Sequence, residues 1–156
     1  MTFVLGIDPG ISGAIAFIPV HDLTRVAVED VPVAGGEINV PELANIIRTY
    51  RPMMAVIERA QAFRGQGVSS TFNYGRSYGD VRGVIGALDI QLHMVAPSTW
   101  KRHFKLSADK EQCRMYAIRM FPVVADHFKL KRHHGRAEAA LIALYGTQVL
   151  ASRVAA

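Results

Sequence analysis

Three acidic residues in distant parts of the chain are the side chains best suited to do chemistry. Asp8 follows the apolar run 3–7, and Glu58 follows a second apolar run, residues 53–57. Each of these acids comes at the end of a predicted strand, at the edge of a sheet. Glu138 lies in a predicted helix near the C-terminus. Carboxylates that converge from distant segments form a site for hard divalent cations, and on a basic protein such a site indicates cleavage of nucleic acid.

Each acid also has a simpler interpretation when it is considered alone. Asp8 begins an Asp-Pro-Gly sequence, which favours a turn. Glu58 can form an ion pair with Arg59, its neighbour in the chain. Glu138 and His134 can form an exposed pair on one helix face, or His134 can contact a DNA phosphate. Only the three acids together favour a shared site over these separate roles.

Basic residues are concentrated in two clusters of the sequence. The first comprises Lys101, Arg102, His103 and Lys105, and the second, directly before Glu138, comprises Lys129, Lys131, Arg132, His133, His134 and Arg136. Cations beside metal-binding acids are what a phosphodiester nuclease requires, because they hold the nucleic acid backbone. The alternative for either cluster is a solvated loop with no partner.

Composition limits the class of protein further. The chain has 156 residues, half of them hydrophobic, which is the size of one domain with one core. The net charge of +5 favours a polyanionic partner. Cys113 is the single cysteine, so an intramolecular disulfide is excluded. We expect no signal peptide, no membrane span and a cytoplasmic location, in a bacterium or a phage-infected host cell.

The apolar patterns predict strands first and then alternating helices and strands. Strands are predicted at 3–8, 13–19, 25–31, 53–58 and 90–96. Helices are predicted at 41–50, at 71–88, from an N-cap at Ser107 to Met120, and at 136–154. Residues 62–70 are predicted to form a loop. This order predicts an α/β fold with a mixed five-stranded sheet, three antiparallel strands followed by parallel ones, flanked by helices.

The predicted order of elements also brings the acids together. The first and fourth strands can lie side by side, so that Asp8 and Glu58 emerge at neighbouring positions. The final helix must then cross that edge for Glu138 to join them. We therefore predict one site at this edge, formed by two strands and the last helix.

Three segments of the sequence resemble the RuvC family of Holliday-junction resolvases. They are GIDPGISG (residues 6–13), AVIE (55–58) and GRAEAALIA (135–143), in that order. The sequence looks most like the bacteriophage or prophage branch. The similarity runs from Phe3 to about Gly146. The resemblance implies an RNase H-like fold, a homodimer, and paired nicks in four-way DNA junctions.

The resemblance also implies a set of metal ligands. Asp8 matches the first acid of the family, Glu58 the second and Glu138 the last. A further acid usually precedes the last one by three or four residues, and here His134 stands four residues before Glu138. This spacing puts both side chains on one helix face. His133 or Asp126 are alternatives for that ligand.

Two Mg²⁺ ions per active site follow from the same resemblance, and we expect Mn²⁺ to substitute for them. Imidazole favours Mn²⁺ over Mg²⁺, so His134 bears on the preferred ion. Asp8 is expected to bridge both ions, Glu58 to hold one, and Glu138 with His134 the other. Two ions about 3.5–4 Å apart activate water and stabilise the leaving oxygen. The expected products carry a 5′ phosphate and a 3′ hydroxyl.

Residues for DNA contact can be assigned from the family pattern and from the distribution of charge. Lys101 resembles a basic residue that lies near the scissile phosphate. Phe63 is the candidate for stacking on bases at the junction centre. The further expected DNA contacts are Arg64, Gln66, Arg76, Lys131, Arg132 and Arg136.

Glycines recur along the predicted helix 71–88. They are Gly75, Gly79, Gly83 and Gly86. Glycine weakens a helix, so close packing of another backbone is a reason for them. We predict that this face forms part of a dimer interface, with packing against the protein's own sheet as the alternative.

Other functions remain open from the sequence. The chain can be a junction-binding protein with weak catalysis, because a histidine replaces an acid. It can also be an RNase H-like ribonuclease, or a nuclease that acts on forks and flaps as well as four-way junctions. An ATP-binding protein of the actin-like superfamily opens with a similar strand and turn, but this chain is too short for its two lobes.

Overall fold

The computed structural model describes residues 1–61 and 65–151. The strands are β1 (Phe3–Asp8), β2 (Ala14–Pro19), β3 (Ala27–Asp30), β4 (Val33–Ala34), β5 (Glu37–Ile38), β6 (Met54–Glu58) and β7 (Gln91–Val95). The α-helices are α1 (Val40–Tyr50), α2 (Val68–Ala87), α3 (Pro97–His103), α4 (Lys110–Met120) and α5 (His134–Tyr145). Shorter helical turns span Pro122–Phe128, Lys131–His133 and Gly146–Leu150. None of the helices in the described ranges is long and apolar enough to cross a membrane.

Five of the described strands form one mixed sheet, which confirms the predicted fold class. The strand order is β3-β2-β1-β6-β7. β1 is antiparallel to β2, whereas β1, β6 and β7 are mutually parallel. In the parallel pair Ile7 lies opposite Ile57, so the next residues, Asp8 and Glu58, leave the sheet side by side. The first and fourth predicted strands are therefore neighbours, as expected.

The sheet has a hydrophobic core on each face because its central strands are apolar throughout. Val4 and Val56 point to the face covered by α4 and α5, and Leu5 and Ile57 point to the face covered by α1 and α2. Gly6 lets α5 come very close to β1, since an added Cβ would collide with the Ala139 carbonyl oxygen and the Ala143 nitrogen. This approach fixes the position of α5 over the centre of the sheet.

Several predicted boundaries are wrong. α2 begins at Val68, so the loop predicted at 62–70 is too long, and α5 begins two residues before the predicted start. The N-cap of α4 is Asp109, whose side chain accepts a hydrogen bond from the Glu111 nitrogen at 2.9 Å. Ser107, the predicted cap, hydrogen-bonds the Gln112 side chain instead. The sequence prediction also missed α3 and the β4–β5 hairpin.

The glycine face of α2 points outward. A Cβ built on Gly75, Gly79, Gly83 or Gly86 meets no described atom within 4 Å. Two large apolar side chains on the same helix, Val68 and Phe72, are 87% and 68% exposed. The alternative interpretation, tight packing of these glycines against the protein's own sheet, is therefore wrong.

Candidate active site

A cleft of about 780 Å³ lies at the edge of the sheet where β1 and β6 end. Its walls come from the Asp8–Gly13 turn, α2, α3, the start of α4 and the start of α5. The ionisable side chains that line it are Asp8, Glu58, Arg76, Lys101, Lys110, His134, Glu138 and Tyr74. All four predicted metal ligands therefore lie around one cavity.

The three acids reach the cleft from three elements. Strand register places Asp8 beside Glu58, and α5 carries Glu138 over both. The glycine at position 135 allows this approach, since a Cβ there would lie 2.9 Å from Asp8 Oδ2 and 3.1 Å from the Ser12 carbonyl oxygen. The first turn of α5 therefore packs directly against the Asp8 carboxyl.

The electrostatics of the cleft are unfavourable for the acids alone. Burial raises the pKa of Asp8 well above its usual value, and the nearby charges of Glu138 and Glu58 raise it further. Burial likewise raises the pKa of Glu58, although a hydrogen bond from Trp100 acts in the opposite direction. Glu138 is only 7% exposed. Buried acids that repel one another are stabilised when a cation binds between them.

His134 is available as a fourth ligand. It lines the cleft, and it stands one turn before Glu138 on α5. Its Nδ1 is buried and has no hydrogen-bond partner among the described residues. The proposed alternatives do not line the cleft: His133 Nδ1 accepts a hydrogen bond from the Leu130 nitrogen at 3.3 Å, and the exposed Asp126 pairs with Lys129 at 3.9 Å.

The chemistry of these donors fits a divalent cation, since carboxylate oxygens and one imidazole nitrogen are ligands for Mg²⁺ and Mn²⁺. Within residues 1–61 and 65–151, no three His, Cys, Asp or Glu side chains are grouped closely enough to hold an ion. Glu138 is instead paired with Lys101 at 3.5 Å, so it must exchange that partner to bind a cation.

Two lysines compensate part of the negative charge. Lys101, on α3, places its Nζ 3.5 Å from Glu138 Oε1 and 5.1 Å from the centre of the Trp100 ring. Lys110, the first residue of α4, also lines the cleft and lowers the pKa of both Asp8 and Glu58. Sequence reasoning missed Lys110, because its distance from the acids is decided by how α4 packs and no motif marks it.

Trp100 lies behind the acids. Its side chain is completely buried. In addition, its Nε1 donates a hydrogen bond to Glu58 Oε2 at 2.8 Å. The residue before Lys101 therefore fixes a second acid of the cleft.

The wall opposite the lysines is the polar face of α2. Tyr74 packs near Gly10 in the Asp8–Gly13 turn, where a Cβ on that glycine would lie 3.6 Å from the tyrosine ring. Burial, followed by the charge of Asp8, raises the pKa of Tyr74 to about 12, so its hydroxyl remains a hydrogen-bond donor at neutral pH. Ser70, Asn73 and Ser77 line the same wall. No motif in the sequence indicates this polar wall.

The predicted DNA contacts are distributed around the cleft in different ways. Arg76 lines it, pairs with Glu37 at 2.5 Å, and has a buried Nε without a partner among the described residues. Arg136 does not line the cleft, since its Nε and Nη2 each donate to Asp30 at 2.7 Å. Gln66 lines a smaller cavity that adjoins Glu58. Phe63 and Arg64 lie outside the described residues.

The second basic cluster forms an exposed segment before α5. Lys129, Lys131 and Arg132 are exposed. Arg114 of α4 supports the segment, donating from Nη1 to the carbonyl oxygens of Phe128 at 2.9 Å and Lys129 at 2.7 Å. A buried arginine therefore fixes the backbone that carries these surface cations.

The strand order, the flanking helices and the acids at the ends of β1 and β6 define an RNase H-like fold. No protein-family model and no curated protein matches the sequence. Solved structures of RuvC from Thermus thermophilus are similar in three dimensions. One, in complex with a Holliday junction substrate, has a TM-score of 0.69 and 18% identity, covering 99% of this chain and 97% of that one. Another has a TM-score of 0.64 and 19% identity over the same shares.

These comparisons confirm the predicted resemblance to RuvC at the level of the fold. They extend over nearly the whole of both chains. Assignment to the phage branch stays a prediction.

Proposed function

We propose that this protein is a structure-selective DNA endonuclease that cuts four-way junctions, leaving a 5′ phosphate and a 3′ hydroxyl. The observation that carries the proposal is the convergence of Asp8, Glu58 and Glu138 in one cleft beside two lysines. The fold supports the same conclusion, since it is shared with a RuvC structure in complex with a Holliday junction substrate.

Divalent cations, Mg²⁺ or Mn²⁺, are the proposed cofactors, two per active site, with Asp8, Glu58, Glu138 and His134 as their ligands. When bound, such ions activate water for attack on phosphorus and stabilise the charge of the leaving oxygen. Asp8 is the proposed shared ligand, because the charges of both Glu58 and Glu138 act on it. His134 contributes its unpartnered Nδ1 from the start of α5.

The lysines act on the DNA. Lys101 is paired with Glu138 in this structure. If Glu138 turns to a cation, the ammonium of Lys101 becomes available for the scissile phosphate, where Lys110 can join it. The polar wall of α2 offers hydroxyl and amide groups to the opposite side of the bound DNA strand. Arg76 would bind a further phosphate, since its Nε is unpartnered.

Replacement of Lys101 tests its part in catalysis. We expect Lys101→Ala to lower kcat by about 100-fold at saturating DNA, the usual loss when one group that stabilises transition-state charge is removed. Lys105→Asn is the matched control, because Lys105 belongs to the same cluster but does not line the cleft and has a positive φ of 56° that asparagine tolerates. Unchanged cleavage by Lys101→Ala would exclude the role.

A homodimer is the proposed assembly, with α2 at its interface. The outward glycine face and the exposed Val68 and Phe72 support this arrangement. Two copies of the cleft in one dimer would account for paired nicks in opposite strands of a symmetric junction.

The first experiment measures cleavage of a labelled immobile four-way junction by the wild type and by Asp8→Asn, each with Mg²⁺, Mn²⁺ or EDTA. We expect paired symmetric nicks that depend on metal and disappear in Asp8→Asn. Higher activity with Mn²⁺ than with Mg²⁺ would support His134 as a ligand. Tight binding without nicking would indicate a junction-binding protein instead. Failure to bind or cut DNA would direct the assay to RNA.

A further inference from the structure

Trp100 is the only tryptophan of the chain, and its single polar group has a specific partner. The indole is completely buried between the sheet and the helices of the α4–α5 face. A tryptophan buried in an apolar core brings an indole N–H with it, and that N–H requires a hydrogen-bond acceptor. Here the acceptor is Glu58 Oε2, at 2.8 Å. The contact joins the hydrophobic core to a carboxylate of the cleft.

The geometry of α3 makes this contact part of a larger arrangement. Trp100 and Lys101 are consecutive, and they hold two acids that come from different elements: Glu58 at the end of β6 and Glu138 on α5. The Lys101 ammonium also lies over the Trp100 ring. The two interactions differ, however. The lysine is partly exposed and can exchange its partner, whereas the buried indole has a fixed position.

The hydrogen bond leaves the second oxygen of Glu58 available. Oε2 accepts the indole N–H, and Oε1 has no hydrogen bond among the described residues while Glu58 lines the cleft. An N–H bond to one carboxylate oxygen restricts the rotamers of the side chain and orients the other oxygen. Groups that orient ligands in this way commonly change metal affinity by about 10–100-fold when they are removed.

We propose that Trp100 is a positioning residue, which holds the carboxylate of Glu58 so that its free oxygen faces a divalent cation in the cleft. This inference rests on the proposed function, in which Glu58 is a metal ligand. It has a direct spectroscopic consequence, because the only indole of the protein touches that ligand. Cation binding at Glu58 changes the hydrogen bond and therefore the emission of Trp100.

The first test measures Mn²⁺ binding to DNA-free protein by electron paramagnetic resonance of the unbound ion. Trp100→Phe keeps an aromatic ring in the core and removes the N–H, so we expect affinity at the Glu58 site to fall by about tenfold or more. Phe121→Leu is the matched control, since Phe121 is equally buried in the same core but carries no N–H to donate to an acid of the cleft. It should reduce stability and leave Mn²⁺ affinity unchanged. Equal affinity in Trp100→Phe and the wild type would overturn the proposal.

The second test follows Trp100 fluorescence during Mg²⁺ titration without DNA. We expect a saturable change in the wild type that disappears in Glu58→Gln and persists in Glu29→Gln, an exposed acid on β3. A response that persists in Glu58→Gln would refute the contact as its source. Junction cleavage separates the two proposals. If Trp100→Phe loses Mn²⁺ affinity but the wild type never cuts DNA, the function fails and the positioning role stands. If it cuts and Trp100→Phe has the same Mg²⁺ dependence, only the positioning role fails.

Discussion

The pKa of the Asp8 carboxyl is strongly raised in the cleft. Its own burial raises its pKa most, Glu138 and Glu58 raise it further, and Lys110 and Lys101 only partly oppose them. Between the unfolded pKa near 3.8 and the raised folded pKa, the folded protein therefore holds a proton that the unfolded chain releases. Without metal, the free energy of unfolding contributed by Asp8 is greatest below that window and falls as pH rises through it.

Replacing Asp8 with asparagine should therefore stabilise the metal-free protein. At pH 7 in EDTA we expect Asp8→Asn to raise Tm, because it removes one of the mutually repelling acids, with each kcal/mol worth about 2–4 °C in a domain of this size. The advantage should shrink as pH is lowered towards 4, where the wild-type carboxyl is protonated. Thermal unfolding by circular dichroism across pH measures both effects. Mg²⁺ should raise the Tm of the wild type only, and a lower Tm for Asp8→Asn at pH 7 would contradict this account.

At the scale of residues, the positions of the acids were easier to predict from the sequence than their surroundings. Asp8 and Glu58 were predictable because the end of an apolar run marks the end of a strand. The bond from Trp100 to Glu58 and the position of Lys110 depend on how α3 and α4 pack against the sheet. No local pattern encodes a contact between residues 42 positions apart.

Contact between β1 and α5 is the element-level feature that assembles the site. The strand supplies Asp8 and the helix supplies Glu138, and Gly6 sets the distance between the two elements. A side chain at Gly6 would meet backbone atoms of Ala139 and Ala143, which cannot rotate away. A side chain at Gly135 would instead meet the Asp8 carboxyl at 2.9 Å, which can rotate away, and the Ser12 carbonyl oxygen at 3.1 Å, a tight contact that needs only a small shift.

These two glycines should therefore respond differently to alanine. We expect Gly6→Ala to destabilise the fold at or above the upper end of the range of about 1–3 kcal/mol typical of overpacked cores. Gly135→Ala should leave the protein folded, because the helix gains propensity, while the displaced Asp8 weakens Mn²⁺ binding. Urea unfolding and Mn²⁺ binding measure the two outcomes. A stable Gly6→Ala protein with normal Mn²⁺ affinity would show that α5 can shift without loss of the site.

The elements themselves were predicted unevenly, for physical reasons. The apolar strands β1 and β6 are long and buried, so their patterns are clear. The helix α3 was missed because it has only seven residues and begins with Pro97. In the sequence, this proline marks only the end of the preceding strand. The β4–β5 hairpin was not predicted, because each of its strands has only two residues and is too short to show an alternating pattern.

At the scale of the whole molecule, a partner that packs against the glycine face of α2 would explain its composition. Glycines in an exposed helix cost about 0.5–1 kcal/mol each relative to alanine. A Cβ added at Gly75, Gly79, Gly83 or Gly86 would meet no described atom within 4 Å. A second copy of the chain, with its own α2 packed closely against this face, would compensate that cost.

A size series at Gly79 tests this interface. Gly79→Ala should raise the stability of the isolated chain, since the new Cβ meets no described atom. Gly79→Gln should do the same for the helix but prevent close helix approach, so we expect it to be monomeric at concentrations where the wild type is a dimer. Sedimentation equilibrium measures the association. A Gly79→Gln protein that dimerises as tightly as the wild type would place the interface elsewhere.

The chain has a net charge of +5. Some of its cations are paired with an acid, and others are exposed and can bind DNA. Arg136 is paired with an acid, since it donates two hydrogen bonds to Asp30. Lys131 and Arg132 are exposed on the segment before α5, close in sequence to His134, which lines the cleft. The position of these two residues suits contact with phosphates that flank the scissile one.

Salt dependence distinguishes these cations by the phosphates they neutralise. For duplex DNA the slope of log K against log salt changes by about 0.9 for each phosphate contact. We expect Lys131→Ala and Arg132→Ala each to reduce the slope by about one contact, with similar losses for all junction sequences, because phosphate contacts carry no base information. Arg136→Ala should change the slope less and lower Tm instead, since it leaves Asp30 unpaired. Fluorescence anisotropy with a labelled junction in EDTA, over about 50–200 mM KCl, measures the slopes. Equal slopes for the wild type and Lys131→Ala would show that the DNA path avoids this segment.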